Sequence, residues 1–357
     1  MPDPLALLDD AATVERLDAH GLLGRIEGLP DDCEAAWQRG RDLELPAGYA
    51  GARDVVLPGM GGSAIAADIL RSLAAAGSRK PVHVVRGYDL PAFVDDASLV
   101  VACSHSGDTE ETLSAYEQAL ALGARTAVVT TGGRLRELAA ARGAPALVYQ
   151  YDGGPRSAIG HQLMALLAIG ERVGLLEAQD GAVAEAVALM REQRRELGFA
   201  LPAARNPAKQ LAARLAGKLP VVVGAGALAV AAYRWKTQFN ENSKIWALYE
   251  ELSELDHNTI VGFGLPDRLV PHLHVVFLGH PALHPRLLLR YDATGDALSD
   301  AGVTHERVDA RGTSPLAQVL TAIYLGDFVS YYLALLNGVE PSPVAPIEKL
   351  KGKLADS

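Results

Sequence analysis

The stretch that decides the fold is VVLPGMGGS at residues 55–63. It is followed directly by a helical pattern rich in alanine and leucine. A short aliphatic run that ends in a glycine-rich turn and leads into a helix is the repeating unit of a parallel α/β sheet. The unit recurs at residues 99–112, LVVACSHSGDTEET, with the same order of strand, small-residue loop and helix. The sequence therefore predicts an α/β fold built on a parallel sheet.

Eight aliphatic runs of this kind fall into two series. The first series predicts one doubly wound sheet between residues 45 and 150, and its runs begin at Val55, Pro81, Leu99, Thr126 and Ala146. The second series begins at Leu219, His274 and Thr304. Its loops follow those of the first series at a separation of about 165–175 residues, and such a spacing in a similar order indicates an internal duplication.

The two series predict two related αβα sandwiches. We assign residues 1–155 to a helical N-terminal segment and the first domain, and residues 156–200 to a helical bridge. Residues 201–357 then form the second domain, which ends in helices.

The composition limits the class of partner. The 357 residues include 33 Lys+Arg and 43 Asp+Glu, a net charge of −10, and no Lys/Arg-rich run. We therefore expect no nucleic-acid partner and no anionic membrane surface. Cys33 and Cys103 lack metal-type spacing and predict neither a disulfide framework nor a zinc site. The start is unlike a signal peptide, and no window reaches the roughly 18 apolar residues of a membrane span, so we expect a cytoplasmic protein.

The first glycine-rich loop leaves three interpretations open. Residues 59–64, GMGGSA, fit the dinucleotide pattern G-x-G-x-x-A. The acidic residue that usually ends the next strand is absent, since this strand ends in Val85 and Arg86, which disfavours NAD and leaves an NADP-dependent oxidoreductase as an alternative. A tight turn that needs glycine only for its backbone is the third interpretation.

The loop after the third strand favours a phosphate ligand. Ser104, Ser106 and Thr109 lie within six residues, and Gly107 allows the backbone to approach a ligand closely. Hydroxyl groups and free amides at a helix N-terminus form an anion site that needs no lysine. The alternative is that Ser106, Asp108 or Thr109 merely caps the helix, but one side chain would suffice for that.

Six segments carry a family resemblance that spans residues 55–351. The loops GMGGS at 59–63 and SHSGDTEET at 104–112 resemble the sugar isomerase (SIS) domain. Further segments resemble the bifunctional phosphoglucose/phosphomannose isomerases, namely GPR at 154–156, QFNENSK at 238–244, ELDHN at 254–258 and IEKLK at 347–351.

The resemblance implies two SIS-type domains and an aldose–ketose isomerase. Its substrates would be glucose 6-phosphate and mannose 6-phosphate, interconverted with fructose 6-phosphate by proton transfer through an enediol(ate). That route requires no cofactor and no metal. The residues implied to hold the phosphate are called the phosphate cup below, and they are Gly62, Ser63, Ser104, Ser106 and Thr109.

The same resemblance implies four catalytic residues. Glu241 would carry the proton, His257 and Lys351 would assist ring opening, and Arg156 would lie beside the enediolate. Without the family match, Glu241 could be an exposed helical glutamate that pairs with Lys244, Arg156 a surface arginine and Lys351 part of a solvated basic tail. In the family the histidine reaches the partner's active site, which implies a homodimer with shared sites.

Two residues depart from the family's loop. His105 and Asp108 stand where the pattern has tyrosine and asparagine. An inward-pointing Asp108 would repel a phosphate dianion, whereas an outward-pointing one could cap the helix that follows this loop. A sugar-phosphate sensor without catalysis is a further alternative, although a sensor would not need a proton carrier such as Glu241.

Overall fold

The computed structural model describes residues 4–355 and divides into two compact units, each with its own parallel sheet. The first-sheet unit comprises Gly28–Met190 and Gly312–Val319. The second-sheet unit comprises Arg191–Arg311 together with the described residues up to Glu27 and from Leu320 onward. The predicted fold class, two parallel-sheet α/β domains with helices, is confirmed. The domain boundaries at residues 155 and 200 stay a prediction.

The first sheet has the strand order β2-β1-β3-β4-β5, and all its pairs are parallel. Its strands are β1 (Val55–Pro58), β2 (Val82–Val85), β3 (Leu99–Ser104), β4 (Arg125–Thr130) and β5 (Ala146–Val148). Strands β1 and β3 are buried along their whole length, as expected for central strands covered on both faces. All five runs of the first predicted series are therefore strands.

The second sheet has the strand order β7-β6-β8-β9, again with parallel pairs. Its strands are β6 (Leu219–Ala225), β7 (Leu248–Leu252), β8 (Leu273–Gly279) and β9 (Thr304–Asp309). The order repeats that of β2-β1-β3-β4, which agrees with an internal duplication. Strand β7 was not predicted, because its sequence LYEEL is short, charged and mostly exposed at the sheet edge.

The helices connect the strands of both units. In chain order they are α1 (Pro4–Leu8), α2 (Ala11–Leu17), α3 (Leu22–Arg41), α4 (Gly61–Ala74), α5 (Glu110–Ala121), α6 (Gly133–Ala141), α7 (Ile159–Arg172), α8 (Asp180–Leu197), α9 (Pro207–Leu215), α10 (Leu228–Glu241), α11 (Pro285–Asp300), α12 (Pro315–Leu336) and α13 (Ala345–Ala355). Parallel neighbours need such crossovers, since a tight turn cannot join two strands that run the same way.

Helix α12 corrects one expectation. Its 22 residues are long and apolar enough, by length and composition, to cross a membrane, although the sequence was expected to hold no such stretch. Most of its apolar window is buried inside the protein. A helix that is apolar on all sides is what the core of a large protein requires, because no face is left for water.

Both cysteines are free and buried. Cys33 lies on α3, and its sulfur is 3.1 Å from where a β-carbon on Gly160 of α7 would stand. Cys103 lies in β3. Burial raises the pKa of both thiols, that of Cys103 to about 12, so both stay protonated at neutral pH.

Candidate active site

The phosphate cup lies at the carboxyl edge of the first sheet. Strands β1 and β3 are neighbours, and each leads at its carboxyl end into a helix, α4 and α5. The chain winds in opposite directions from this pair of strands, and such a switch point is where open parallel sheets bind ligands. The N-termini of α4 and α5 present backbone amides and the positive ends of helix dipoles at this edge.

The hydroxyl groups of the second loop fold the loop itself. Ser104 Oγ lies 2.9 Å from Thr109 Oγ1 and accepts a hydrogen bond of 3.0 Å from the amide of Gly107. Ser106 Oγ accepts from the amide of Asp108 at 3.2 Å. Ser104 is buried, whereas Ser106 is exposed. The loop therefore has a fixed shape with Ser106 facing outward.

Simple capping of α5 does not explain these side chains. Thr109 is the N-cap residue of α5, yet its side chain makes no capping hydrogen bond. Its hydroxyl pairs with Ser104 instead. Since the first-turn amides of a helix have no partner within the helix, those of α5 remain suited to an anion.

Asp108 points toward another helix. Its Oδ1 accepts a hydrogen bond of 2.9 Å from the amide of Arg134 in the first turn of α6. The residue before that helix, Gly132, has no side chain with which to cap it. The carboxylate of Asp108 thus serves the N-terminus of α6 and not that of α5, the helix that follows its own loop.

Two glycines bring the loops close to other backbone. A β-carbon on Gly62 would stand 2.8 Å from the carbonyl oxygen of Pro155 and 3.2 Å from Cα of Arg156. Gly107 has φ +80°, and a β-carbon there would collide with the carbonyl of Gly132. Neither position accepts a side chain without strain.

The contact at Gly62 brings Arg156 to the cup. Arg156 is only 6% exposed, although a residue after a Gly-Gly-Pro turn could as easily have been a surface arginine. A buried guanidinium keeps its charge and needs polar partners, which makes it a strong local cation.

Glu241 is the last residue of α10, and its side chain is half-buried. Polar bonds to α12 hold this end of the helix. Gln238 Nε2 donates to Asp327 at 2.9 Å, and Asn242 Nδ2 donates to Ser330 Oγ at 3.0 Å. The residues around Glu241 in the QFNENSK segment therefore fix the position of the helix end that carries it.

Lys244 fastens a second segment to the same helix end. Its ammonium group donates to the carbonyl oxygens of Glu241 at 2.5 Å, Pro341 at 2.9 Å and Pro343 at 2.5 Å. The prolines precede α13, the helix that carries the exposed Lys351. Lys244 thus binds main-chain oxygens and joins the ends of two segments that the resemblance assigned to catalysis.

His257 ends a short 3-10 helix, Glu254–His257, that follows β7, and it is exposed. Its neighbour Asp256 is held by Arg290 Nη1 at 2.6 Å and by Thr294 Oγ1 at 2.8 Å, both from α11. The anchored aspartate fixes the turn, so the imidazole is presented to solvent from a rigid support.

The predicted site residues fall into two groups. The phosphate cup and Arg156 lie in the first-sheet unit, where Gly62 contacts the turn that carries Arg156. Glu241, His257 and Lys351 lie in the second-sheet unit. Sequence reasoning missed Gln162, which bonds to Ser63 of the cup, and Tyr149, which bonds to Gln162. The signal for Gln162 was a glutamine inside the apolar stretch of α7.

The fold and loops define the class of protein. Residues 204–354 match the family model described as the bacterial phospho-glucose isomerase C-terminal SIS domain. Among solved structures, the hypothetical protein TT0462 from Thermus thermophilus is similar in fold, with a TM-score of 0.75 and 18% identity over 99% of this chain and 94% of that one. The chain is of the SIS class.

Two relatives identify the family within that class. The bifunctional phosphoglucose/phosphomannose isomerase of Caldicellulosiruptor bescii is 38% identical over 332 residues, which cover 93% of this chain and 98% of the relative. The enzyme of the same name from Thermoplasma volcanium is 34% identical over 304 residues, with 84% and 91% covered. The chain belongs to the bifunctional phosphoglucose/phosphomannose isomerase family, so the resemblance seen in the sequence is confirmed.

Proposed function

We propose that the protein is an aldose–ketose isomerase that interconverts glucose 6-phosphate and mannose 6-phosphate with fructose 6-phosphate. The observation that carries this proposal is the phosphate cup, in which Thr109 leaves the first turn of α5 uncapped while Asp108 serves α6. Together with the family membership, this arrangement favours a sugar phosphate as the ligand. The cytoplasmic location expected from the sequence stays a prediction.

The proposed chemistry needs only groups that this chain supplies. His257 and Lys351 assist the opening of the sugar ring, and Glu241 then takes the proton from C2 of the aldose and delivers it to C1. A proton passes from O2 to O1 as the carbonyl moves from C1 to C2. Arg156 stabilises the negative charge of the enediolate between the two transfers.

We also propose that the enzyme works as a homodimer in which His257 serves the partner's site. The segment that follows α10 exposes large apolar side chains on both sides of His257, with Trp246 82%, Val261 89% and Leu265 78% exposed. An open apolar pocket of about 330 Å³ is lined in part by residues of the same segment, Leu248 and Phe263 among them. Exposed apolar surface of this kind is typical of a protein interface.

The first experiment is an isomerase assay without nicotinamide. Purified protein given fructose 6-phosphate should form glucose 6-phosphate and mannose 6-phosphate. Glu241→Gln should lower kcat by at least a thousandfold, since it removes the proton carrier, and should leave the Kd for fructose 6-phosphate within about threefold. Glu137→Gln changes a surface glutamate that is 69% exposed and serves as the matched control, with kcat within twofold.

The alternatives predict other results. A sensor would bind fructose 6-phosphate without turnover in the wild type. An NADP-dependent oxidoreductase would need a cation for the 2′-phosphate, whereas Arg86 is paired with the buried carboxylate of Asp68 on α4. Failure of the wild type to bind any hexose phosphate would contradict both the isomerase and the sensor.

A further inference from the structure

Gln162 lies behind the phosphate cup and is fully buried in the apolar helix α7. Its Nε2 donates one hydrogen bond of 3.0 Å to Ser63 Oγ, in the first turn of α4, and another of 3.0 Å to the hydroxyl of Tyr149. An amide is costly to bury in apolar surroundings unless it is hydrogen-bonded. These two hydrogen bonds therefore stabilise the Gln162 side chain in its buried position.

The bonds fix the direction in which Ser63 can donate. A carboxamide nitrogen carries two hydrogens and no free lone pair, so Ser63 Oγ must accept from Gln162. The hydrogen of the Ser63 hydroxyl is then left to point away from Gln162. Ser63 becomes a donor, which is the role that a phosphate oxygen requires.

The chain of bonds continues to the second loop of the cup. Tyr149 accepts from Gln162, and its own hydrogen is directed to Nδ1 of His105 at 3.1 Å. His105 also has a hydrogen bond to the backbone of Gly153, and burial lowers the pKa of His105, which favours the neutral ring. His105 belongs to the loop that carries Ser104 and Ser106, so the two loops of the cup are joined through Gln162.

The observed orientation of the Gln162 carboxamide gives both of its hydrogens an acceptor. If the amide were reversed, its oxygen would accept from Ser63 and Tyr149, and both hydrogens of the buried nitrogen would lie where the carbonyl oxygen now has no partner in the described part of the chain. Two buried hydrogens without an acceptor cost more than one buried oxygen without a donor. The carbonyl oxygen of Gln162 has no hydrogen-bond partner among the described residues, so the side chain is held by its two donor bonds alone.

We propose that Gln162 is a positioning residue of the phosphate cup, which holds the Ser63 hydroxyl as a donor to the substrate phosphate and joins the two loops through Tyr149 and His105. This inference rests on the proposed function, since it assigns Ser63 to the phosphate. It also gives the departure at His105 a role, because this histidine ends the chain of bonds that starts at Ser63.

The test is a double-mutant cycle measured with fructose 6-phosphate. Gln162→Met keeps the length of the side chain and removes both donors. We expect it to raise KM about tenfold and to change kcat less than threefold, as for loss of one hydrogen bond to a charged group. In the Ser63→Ala background, Gln162→Met should raise KM by less than twofold, because the hydroxyl it orients is gone.

Gln193→Met is the matched control. Like Gln162, Gln193 is buried and has a carbonyl oxygen without a partner among the described residues. Its Nε2 donates a single bond, to the carbonyl of Thr321 at 3.2 Å. Its replacement should leave KM within twofold. An unchanged KM in folded Gln162→Met, or an equal rise in KM in both backgrounds, would overturn the proposal.

Two further measurements keep the test decisive. If Gln162→Met fails to fold, Tyr149→Phe removes the bonds of the Tyr149 hydroxyl to Gln162 and to His105, and it should raise KM about threefold with kcat within twofold. An unchanged KM would count against the joined loops. If the wild type does not turn over, the isomerase proposal fails, and the same variants are titrated with inorganic phosphate. The same pattern in Kd then supports the role of Gln162, and equal Kd values reject it.

Discussion

At the scale of single residues, replacing Asp108 distinguishes its contribution to stability from any effect of its charge on phosphate binding. Because its carboxylate accepts from the amide of Arg134, Asp108→Ala should lower the free energy of unfolding by about 1 kcal/mol, the usual cost of losing a helix cap. The KM for fructose 6-phosphate should change less than twofold. Urea denaturation and steady-state kinetics measure the two effects, and a several-fold fall in KM would mean that the carboxylate repels the phosphate after all.

His161 makes stability depend on pH. It is almost buried, receives a bond of 2.9 Å at Nδ1 from Arg39 and stacks on Tyr149 at 5.1 Å. Burial, with the charge of Arg39, lowers its pKa from 6.5 to about 4. Since the unfolded chain binds this proton more readily, stability is complete above pH 6.5 and is lost as pH falls toward 4, by up to about 3 kcal/mol.

His161→Asn tests this pH dependence, because asparagine keeps an acceptor for Arg39 and does not titrate. Between pH 6.5 and 4 the variant should lose less stability than the wild type, and the exposed His272→Asn should match the wild type. The pKa of His105 is lowered in the same direction, so part of the slope should remain. Identical slopes in His161→Asn and wild type would show that His161 keeps an ordinary pKa.

The proximity of the hydroxyl groups in the second loop of the cup could be predicted from sequence because they lie within one short loop. Ser104, Ser106 and Thr109 are close in the chain, so their proximity needs no knowledge of the fold. Gln162 is 99 residues from Ser63 and meets it only because α7 packs beside α4. The direction of Asp108 was equally out of reach, since it depends on the loop before α6.

At the scale of elements, a buried ion pair is one of the polar interactions that join α10 to α12. Arg234 Nη2 lies 2.8 Å from Asp327 Oδ2, and both side chains are at most 5% exposed. Asp327→Ala would leave a buried guanidinium without its counter-charge, so we expect a loss of about 3–5 kcal/mol of unfolding free energy.

The control for that variant is Asp309→Ala. Asp309 pairs with Arg307 at 2.7 Å, but their side chains are 52% and 34% exposed, so the loss should stay below about 1 kcal/mol. Thermal or urea unfolding measures both variants. Similar losses in the two would mean that the Arg234–Asp327 pair contributes little to stability.

Two elements show where sequence patterns reach their limit. Strand β7 has the sequence LYEEL and lies at a sheet edge, where most of its residues are exposed. Its sequence therefore lacks the aliphatic run that marks the other strands. Helix α12 has the composition of a membrane span, and only its burial tells the two apart. In both cases the environment of the element, and not its own residues, determines its structure.

At the scale of the whole molecule, the proposed homodimer makes the exposed segment around His257 essential. Val261→Glu places a charge on a side chain that is 89% exposed and should convert a dimer to a monomer in analytical ultracentrifugation. Activity should fall at least tenfold with it, because His257 would no longer reach a partner.

Leu122→Glu is the control for the dimer, since Leu122 is 49% exposed in the first-sheet unit and outside that segment. It should keep both the dimer and the activity. A wild type that is monomeric and fully active would contradict the shared site.

The two buried thiols have a consequence for optical measurements on this protein. Only a thiolate reacts readily with a maleimide dye, and Cys33 and Cys103 are buried with pKa values raised well above neutrality. A cysteine introduced at an exposed position such as Leu122 would therefore carry the fluorophore alone, with both native cysteines left in place. Donor-labelled and acceptor-labelled chains could then report subunit exchange by energy transfer, in a protein whose core is unaltered.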